Sequence, residues 1–292
     1  RMNQTVLPPL RHKPYGGAWS IHDPESMSII DNTKLTKGDT KEFLHDYSKW
    51  FRAGKDFTGI EKFSNVDFSA GTTDTFYMFY FRHVNKRLRL FKDEYFVHHM
   101  IARNYFKDHM LIDQAPLEIG DVVVMSCPFS NTGTLPENFY DILERCDQLK
   151  IPVMLDLAYI NISNISNLNL QYDCIQTVTT SLSKVFPVEN FRIGIRFERK
   201  LYDDPMVAVN QNNYLNLHSV HIGHTLIKKF SNSWLFNKYR EKQITQCEQL
   251  GLETSDCVIF GLAKKGKFDE YNRGGSKTRL CFSRIWDDRI KL

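Results

Sequence analysis

From about residue 66 the apolar positions fall into short runs that alternate with stretches of helical period. Asp121–Cys127 (DVVVMSC) is an uninterrupted apolar run of strand length, and Pro152–Leu157 is another. Such runs lack the in–out alternation of a half-solvated strand and read as strands covered on both faces. Between them, Glu137–Lys150 places Phe139, Ile142, Leu143, Cys146 and Leu149 on one helical face, after the start signals Thr134 and Pro136. The same reading predicts helices at Thr75–Val84 and Tyr95–Phe106, and strands at Leu88–Phe91, Cys174–Thr179 and Ile193–Phe197. Strand alternating with helix predicts right-handed crossovers and a mostly parallel sheet, a three-layer αβα large domain over residues 61–215. Beyond it, helical stretches at 216–230 and 233–250 and short strands at Val258–Leu262 and Arg279–Ser283 predict a small, trimmed α+β domain over residues 216–292. Residues 1–60 are rich in Pro, Gly, Asp and Lys, and read as an amino-terminal arm with short elements and part of the small domain.

Composition narrows the function classes. A formal charge of +4 suits an anionic small molecule and is too weak for a nucleic-acid surface. Lys86–Arg89 and Lys264–Lys267 are the basic clusters, best explained as solvated surface. The six cysteines have no ligand-like spacing, and Cys127 and Cys281 lie in apolar runs, a pattern that suits a reducing cytoplasm. No export leader and no membrane span is expected. His218, His221 and His224 are three apart, but on a helix that spacing drifts by about 60° over six residues. No carboxylate or thiol joins them in the sequence, so a helix face is expected and no metal site.

In an open parallel sheet, ligands sit beyond the carboxyl ends of the strands, so polar residues just after apolar runs carry weight. Ser69-Ala70-Gly71-Thr72-Thr73-Asp74 is a small-residue turn whose amides could hold a phosphate, or simply a capped connection. Cys127-Pro128-Phe129-Ser130-Asn131-Thr132-Gly133 ends the strongest strand and offers Asn131 as a donor; an ordinary Asn-containing turn is the alternative. Asp156 closes a buried strand, where a carboxylate needs a cationic partner from the protein or from a ligand. Lys184 lies among hydroxyls in Ser181-Leu182-Ser183-Lys184, with Arg192 eight residues on; taken singly, it could be merely solvated.

In this order the four segments resemble fold-type-I enzymes of pyridoxal 5′-phosphate (PLP), and among them the class I/II aminotransferases. The resemblance covers roughly residues 65–200 well and the remainder loosely, and its most specific part is the lysine-to-arginine segment. It implies that Lys184 holds PLP as a Schiff base and shuttles the proton at the substrate Cα, with Asp156 paired to the pyridine nitrogen. Tyr159 and Asn131 would bond the phenolic oxygen, with Asn131 also bordering the substrate. Arg192, Ser181 and the groups of Ala70, Gly71 and Thr72 would hold the phosphate. Tyr95 would stack on the ring, although core packing explains it equally well. Arg279, opening Thr278-Arg279-Leu280-Cys281-Phe282-Ser283, would fork the substrate carboxylate; a surface strand arginine is the alternative, with Arg284 close by.

The implied activity is transamination between an amino acid and a keto acid, by a cytoplasmic homodimer that binds neither nucleic acid nor membrane. The chain is short for that family, so elimination, cyclisation or decarboxylation on the same scaffold stays open, as does a non-catalytic relative. A Rossmann-type nucleotide binder is disfavoured because no GxGxxG turn is present. Tyr47 is the candidate for a tyrosine lent to the partner subunit's phosphate.

Overall fold

A computed structural model describes residues 10, 13–273 and 275–287. The arm folds into α1 (Pro24–Asn32) and α2 (Thr40–Arg52). Asp23 and Asp39 cap the two helices, accepting from amides of their first turns. The large unit then runs β1 (Asn65–Ala70), α3 (Thr72–His83), β2 (Arg87–Leu90), α4 (Phe96–Tyr105), β3 (His109–Leu111), β4 (Asp121–Ser126), α5 (Phe139–Leu149), β5 (Val153–Asp156), β6 (Ile175–Ser181) and β7 (Ile193–Glu198). After it come α6 (Pro205–Gln211), α7 (Leu217–Lys229), α8 (Trp234–Leu250), β8 (Glu253–Thr254), β9 (Phe260–Lys264) and β10 (Lys277–Cys281).

The seven-stranded sheet has the order β1-β7-β6-β5-β4-β2-β3. β7 is antiparallel to both of its neighbours, and the strands from β6 to β3 pair in parallel. Pleating explains the apolar runs. Val122, Val124 and Met154 enter a core with Phe76, Phe79 and Tyr80 of α3. Their neighbours Val123, Met125, Val153 and Leu155 enter a larger core on the other face. The middles of β4 and β5 are therefore apolar at successive positions, as a sheet covered by helices requires.

The sheet topology places the chemistry-bearing residues. Ala70 pairs with Ile193, Gly194 with Ser181, Thr179 with Asp156, and Asp156 with Ser126. The turn after β1, the ends of β4, β5 and β6, and the start of β7 thus share one edge of the sheet. The second sheet, β10-β9-β8, stands beside that edge against α8. The amide of buried Gln243 fastens them, donating to the carbonyls of Ser255, Cys257 and Phe260 at 3.1, 2.9 and 2.6 Å.

Some expectations change. The arm carries a full helix, α2, which buries Phe43, Tyr47, Trp50 and Phe51. Tyr47 is a core residue there, with its hydroxyl 3.3 Å from Thr180 Oγ1, and does not reach outward to a partner's phosphate. The last two strands are shifted: Val258 and Ile259 lie in a buried turn before β9, and β10 begins at Lys277. His224 bonds Asp46 at 2.8 Å while His218 lies 3.3 Å from the carbonyl of Thr36, so these two histidines face different partners. All six cysteines are unpaired and buried. No helix among the described residues is long and apolar enough to cross a membrane.

Candidate active site

The turn after β1 is built for close approach. Gly71 has φ +77°, and a Cβ there would fall 2.3 Å from Arg192 Nη2. Gly194 packs against the same turn, where a Cβ would meet the Gly71 carbonyl carbon at 2.6 Å. The Arg192 guanidinium thus closes over the amino terminus of α3, which has no side-chain cap. Arg192 itself holds φ 55°, a left-handed conformation that costs a residue with a side chain and is concentrated at functional sites. Amides at an uncapped helix start, beside an exposed guanidinium, suit an anion. One expected donor is occupied: the amide of Ala70 donates to Asp74 Oδ2 at 3.2 Å. Ser181 is turned toward its own segment, with its hydroxyl 3.0 Å from both Ser183 Oγ and the Ile193 carbonyl.

Lys184 follows β6 and is partly buried. Its Nζ donates to the Ala18 carbonyl at 2.7 Å and lies 5.3 Å from the centre of the Tyr159 ring. Burial pushes its pKa below that of an ordinary lysine, and the charge of Arg279 acts in the same direction, against Glu189 and Asp156. Tyr159 is packed against Phe260, with ring centres 5.6 Å apart. Burial raises its pKa, so the phenol stays protonated at neutral pH.

Asp156 is 5% exposed; its Oδ1 accepts from the Ala158 amide at 3.0 Å. Its Oδ2 faces His98 Nε2 at 3.8 Å, while His98 Nδ1 lies 2.7 Å from the Tyr80 hydroxyl. Sequence reasoning passed over His98, although it stands three residues after Tyr95 and so on the same helical face. Glu94, just before Tyr95, was also missed: it is buried and accepts from the Ser126 amide at 2.7 Å and the Ser126 hydroxyl at 2.6 Å. Tyr95 sits at the start of α4 with its ring edge-on to His98, 5.9 Å between centres.

The other two expected residues lie toward the small unit. Asn131 is buried, and its amide donates to Asp93 Oδ1 at 2.8 Å. Arg279 is 5% exposed, stacked 4.6 Å from the Phe260 ring centre, and donates to the carbonyls of Ser130 and Gly16. The segment Gly16–Ala18 therefore forms a strap whose carbonyls meet both Lys184 and Arg279. That an arm closes over substrate is implied by the family resemblance, but the segment Gly16–Ala18 was not singled out in the sequence.

Lys184, Asp156, Tyr159 and Arg279 thus converge at the carboxyl edge of the sheet, with the Gly71–Arg192 turn on the same edge. A half-buried amine with one backbone partner, set between a carboxylate, a phenol and a guanidinium, can bind a carbonyl compound and move protons beside it.

The model for the family "Aminotransferase class I and II" matches residues 108–250. Among solved structures, a PLP-bound C-S lyase from Staphylococcus hominis is similar over 92% of this chain and 87% of its own, at 12% identity and TM-score 0.68. An aspartate aminotransferase double mutant from Thermus thermophilus is similar over 97% of this chain and 93% of its own, at 10% identity and TM-score 0.68. The L-threonine-O-3-phosphate decarboxylase of Porphyromonas gingivalis aligns over 90% of this chain and 92% of its own, at 13% identity and TM-score 0.63. No curated protein sequence matches.

Proposed function

We propose that this chain, which has the fold of the class I and II aminotransferases and matches their family model over residues 108–250, is a PLP-dependent aminotransferase acting on α-amino acids. The observation that carries the reading is the placement of Lys184. Its amine is inward-facing, held by one backbone carbonyl, and in electrostatic reach of Asp156 and Arg279.

The residues present fit the cofactor. The uncapped start of α3 and the Arg192 guanidinium above Gly71 suit a phosphate, with Thr72 at the first turn of the helix. When bound, PLP supplies a ring that accepts the electron pair left on Cα. Lys184 would provide the anchoring amine and the base that takes and returns the substrate Cα proton. Its lowered pKa favours the neutral amine that this task needs. Asp156 would meet the positive charge of the bound cofactor's ring, and the Ala158 amide fixes the carboxylate's orientation. Tyr159, a neutral phenol, would donate a hydrogen bond to the cofactor, and Tyr95 would flank its ring. Arg279 orients the substrate by its carboxylate, with two parallel N–H donors that a lysine cannot reproduce. Asn131 serves the substrate side, where its bond to Asp93 holds the turn.

A second reading is favoured by the neighbours themselves, which include a lyase and a decarboxylase as well as an aminotransferase. Dependence on a keto acid separates the two. With purified, PLP-loaded protein and an amino donor, the proposal expects turnover only when a keto acid is present, with equimolar new amino acid formed. Release of ammonia, pyruvate or carbon dioxide without a keto acid would replace transamination by elimination or decarboxylation. A homodimer is part of the proposal. A cavity of about 390 Å³ borders Arg192, Ala70 and Asp74, and Tyr214 on its rim is 79% exposed, a surface that suits a second copy.

A further inference from the structure

We propose that Arg273 is a second anion-binding residue of the site, and that the substrate is an amino acid whose side chain carries its own carboxylate or an equivalent anion. The proposal rests on the reading that Arg279 receives the α-carboxylate. Arg273 comes from the turn before β10 and was not singled out in the sequence. Its Nη2 donates to the Gly16 carbonyl, the same oxygen that Arg279 Nη2 approaches at 3.2 Å. Two guanidiniums therefore share one backbone oxygen, which places their charges side by side. Each also keeps a buried N–H with no partner: Nη1 of Arg273 and Nε of Arg279.

Like charges brought together out of water are costly unless an anion joins them. Among the described residues neither arginine has an ion pair; their hydrogen bonds go to backbone carbonyls only. The acids nearby are otherwise engaged. Asp93, which faces the turn at Gly275, accepts from Asn131. Glu189 accepts from Ser20 and lies 3.5 Å from His22. Burial, reinforced by the charge of Arg279, pulls the pKa of Arg273 down to about 9, the behaviour of a guanidinium short of negative charge. A substrate with a single carboxylate would satisfy Arg279 and leave Arg273 as it is. A dianionic amino acid would satisfy both, taking over the oxygen's role for the two N–H groups aimed at Gly16. Arg273 also lies in electrostatic reach of Tyr159, so the second anion would bind beside the reacting centre.

Calorimetric titration of the PLP-loaded protein with succinate and with propionate tests this directly, since both ligands carry a carboxylate and only one carries two. Charge-assisted hydrogen bonds of about 1.5–3 kcal/mol each correspond to a preference for succinate of roughly ten- to a hundredfold. Arg273→Gln should erase that preference while leaving propionate affinity within about twofold, and Arg273→Lys should restore part of it. Equal affinity for the two ligands in the parent protein, or a preference that survives Arg273→Gln, overturns the proposal and leaves the role of Arg279 standing. If the parent binds neither ligand, the reading of Arg279 falls as well.

Discussion

Arg89 of β2 and Arg196 of β7 are fully buried, yet each is met by carboxylates. Arg89 bonds Asp121 at 2.7 Å, and Arg196 bonds Asp67 at 2.7 Å and Asp204 at 2.6 Å. At the carboxyl edge of the same sheet, Arg279 is nearly as buried and Arg273 shares its oxygen, but among the described residues their hydrogen bonds go to carbonyl oxygens and neither has an ion pair. On the proposed reading, four arginines of the same chemistry serve two purposes. A guanidinium whose charge is cancelled inside the protein holds elements together; one whose charge is left over is available to a ligand. The lesson for this fold is that burial of a charge does not by itself mark a site, whereas burial without a counter-charge does.

That contrast can be broken at either end. Arg196→Leu removes the cation and strands Asp67 and Asp204, so it should destabilise the protein by about 3–5 kcal/mol, measured by urea unfolding. The pH dependence gives a second reading. Asp204 is penalised by burial, but its bonds to Arg196 outweigh that penalty and hold its pKa below the ordinary carboxylate range. A depressed carboxylate adds stability above its unfolded pKa and loses it as acid protonates the folded form. The Arg196→Leu protein should therefore lose less on acidification from neutral pH than the parent does. A variant as stable as the parent would show that the Arg196 cluster is not the clamp described.

Arg279→Lys should do the opposite. Its effect on unfolding should be small, because no internal carboxylate is left behind. The KM for amino acids should rise by about one to two orders of magnitude, since each charge-assisted bond contributes about 1.5–3 kcal/mol and a tenfold change needs 1.4 kcal/mol. The cofactor's visible spectrum should not change, as Lys184, Asp156 and Arg192 stand at the carboxyl edge of the large sheet and Arg279 in the second sheet. Loss of PLP in this variant would make Arg279 a structural or phosphate residue. An unchanged KM would move the carboxylate clamp elsewhere, with Arg284 next.

How much of this was legible follows the same division. The alternation of apolar runs and helical faces reports local burial, so the strands ending at Ser126, Asp156 and Ser181 and the residues after them could be read directly. Pairing is not written locally, and the reversal of β7 between β1 and β6 had no signature in its apolar run Ile193–Phe197. Tyr47 was misplaced because α2 was read as part of a loose arm; its neighbours Phe43, Trp50 and Phe51 carried the helical period that buries it. Val258 and Ile259 are as buried as a strand but form a turn, a distinction that hydrophobicity alone does not make. Arg273, His98 and the Gly16–Ala18 strap reach the site only through long-range packing, from positions 273, 98 and 16–18 of the chain.

The central claim is that Lys184 carries the cofactor, and reduction followed by peptide mapping tests it most directly. The purified protein incubated with PLP should be yellow, and borohydride should bleach it and fix one cofactor per chain. Digestion and mass spectrometry should then place the label on the peptide containing Ser181-Leu182-Ser183-Lys184. A protein that stays colourless with PLP, or a label on Lys55 or any lysine other than Lys184, would contradict the account.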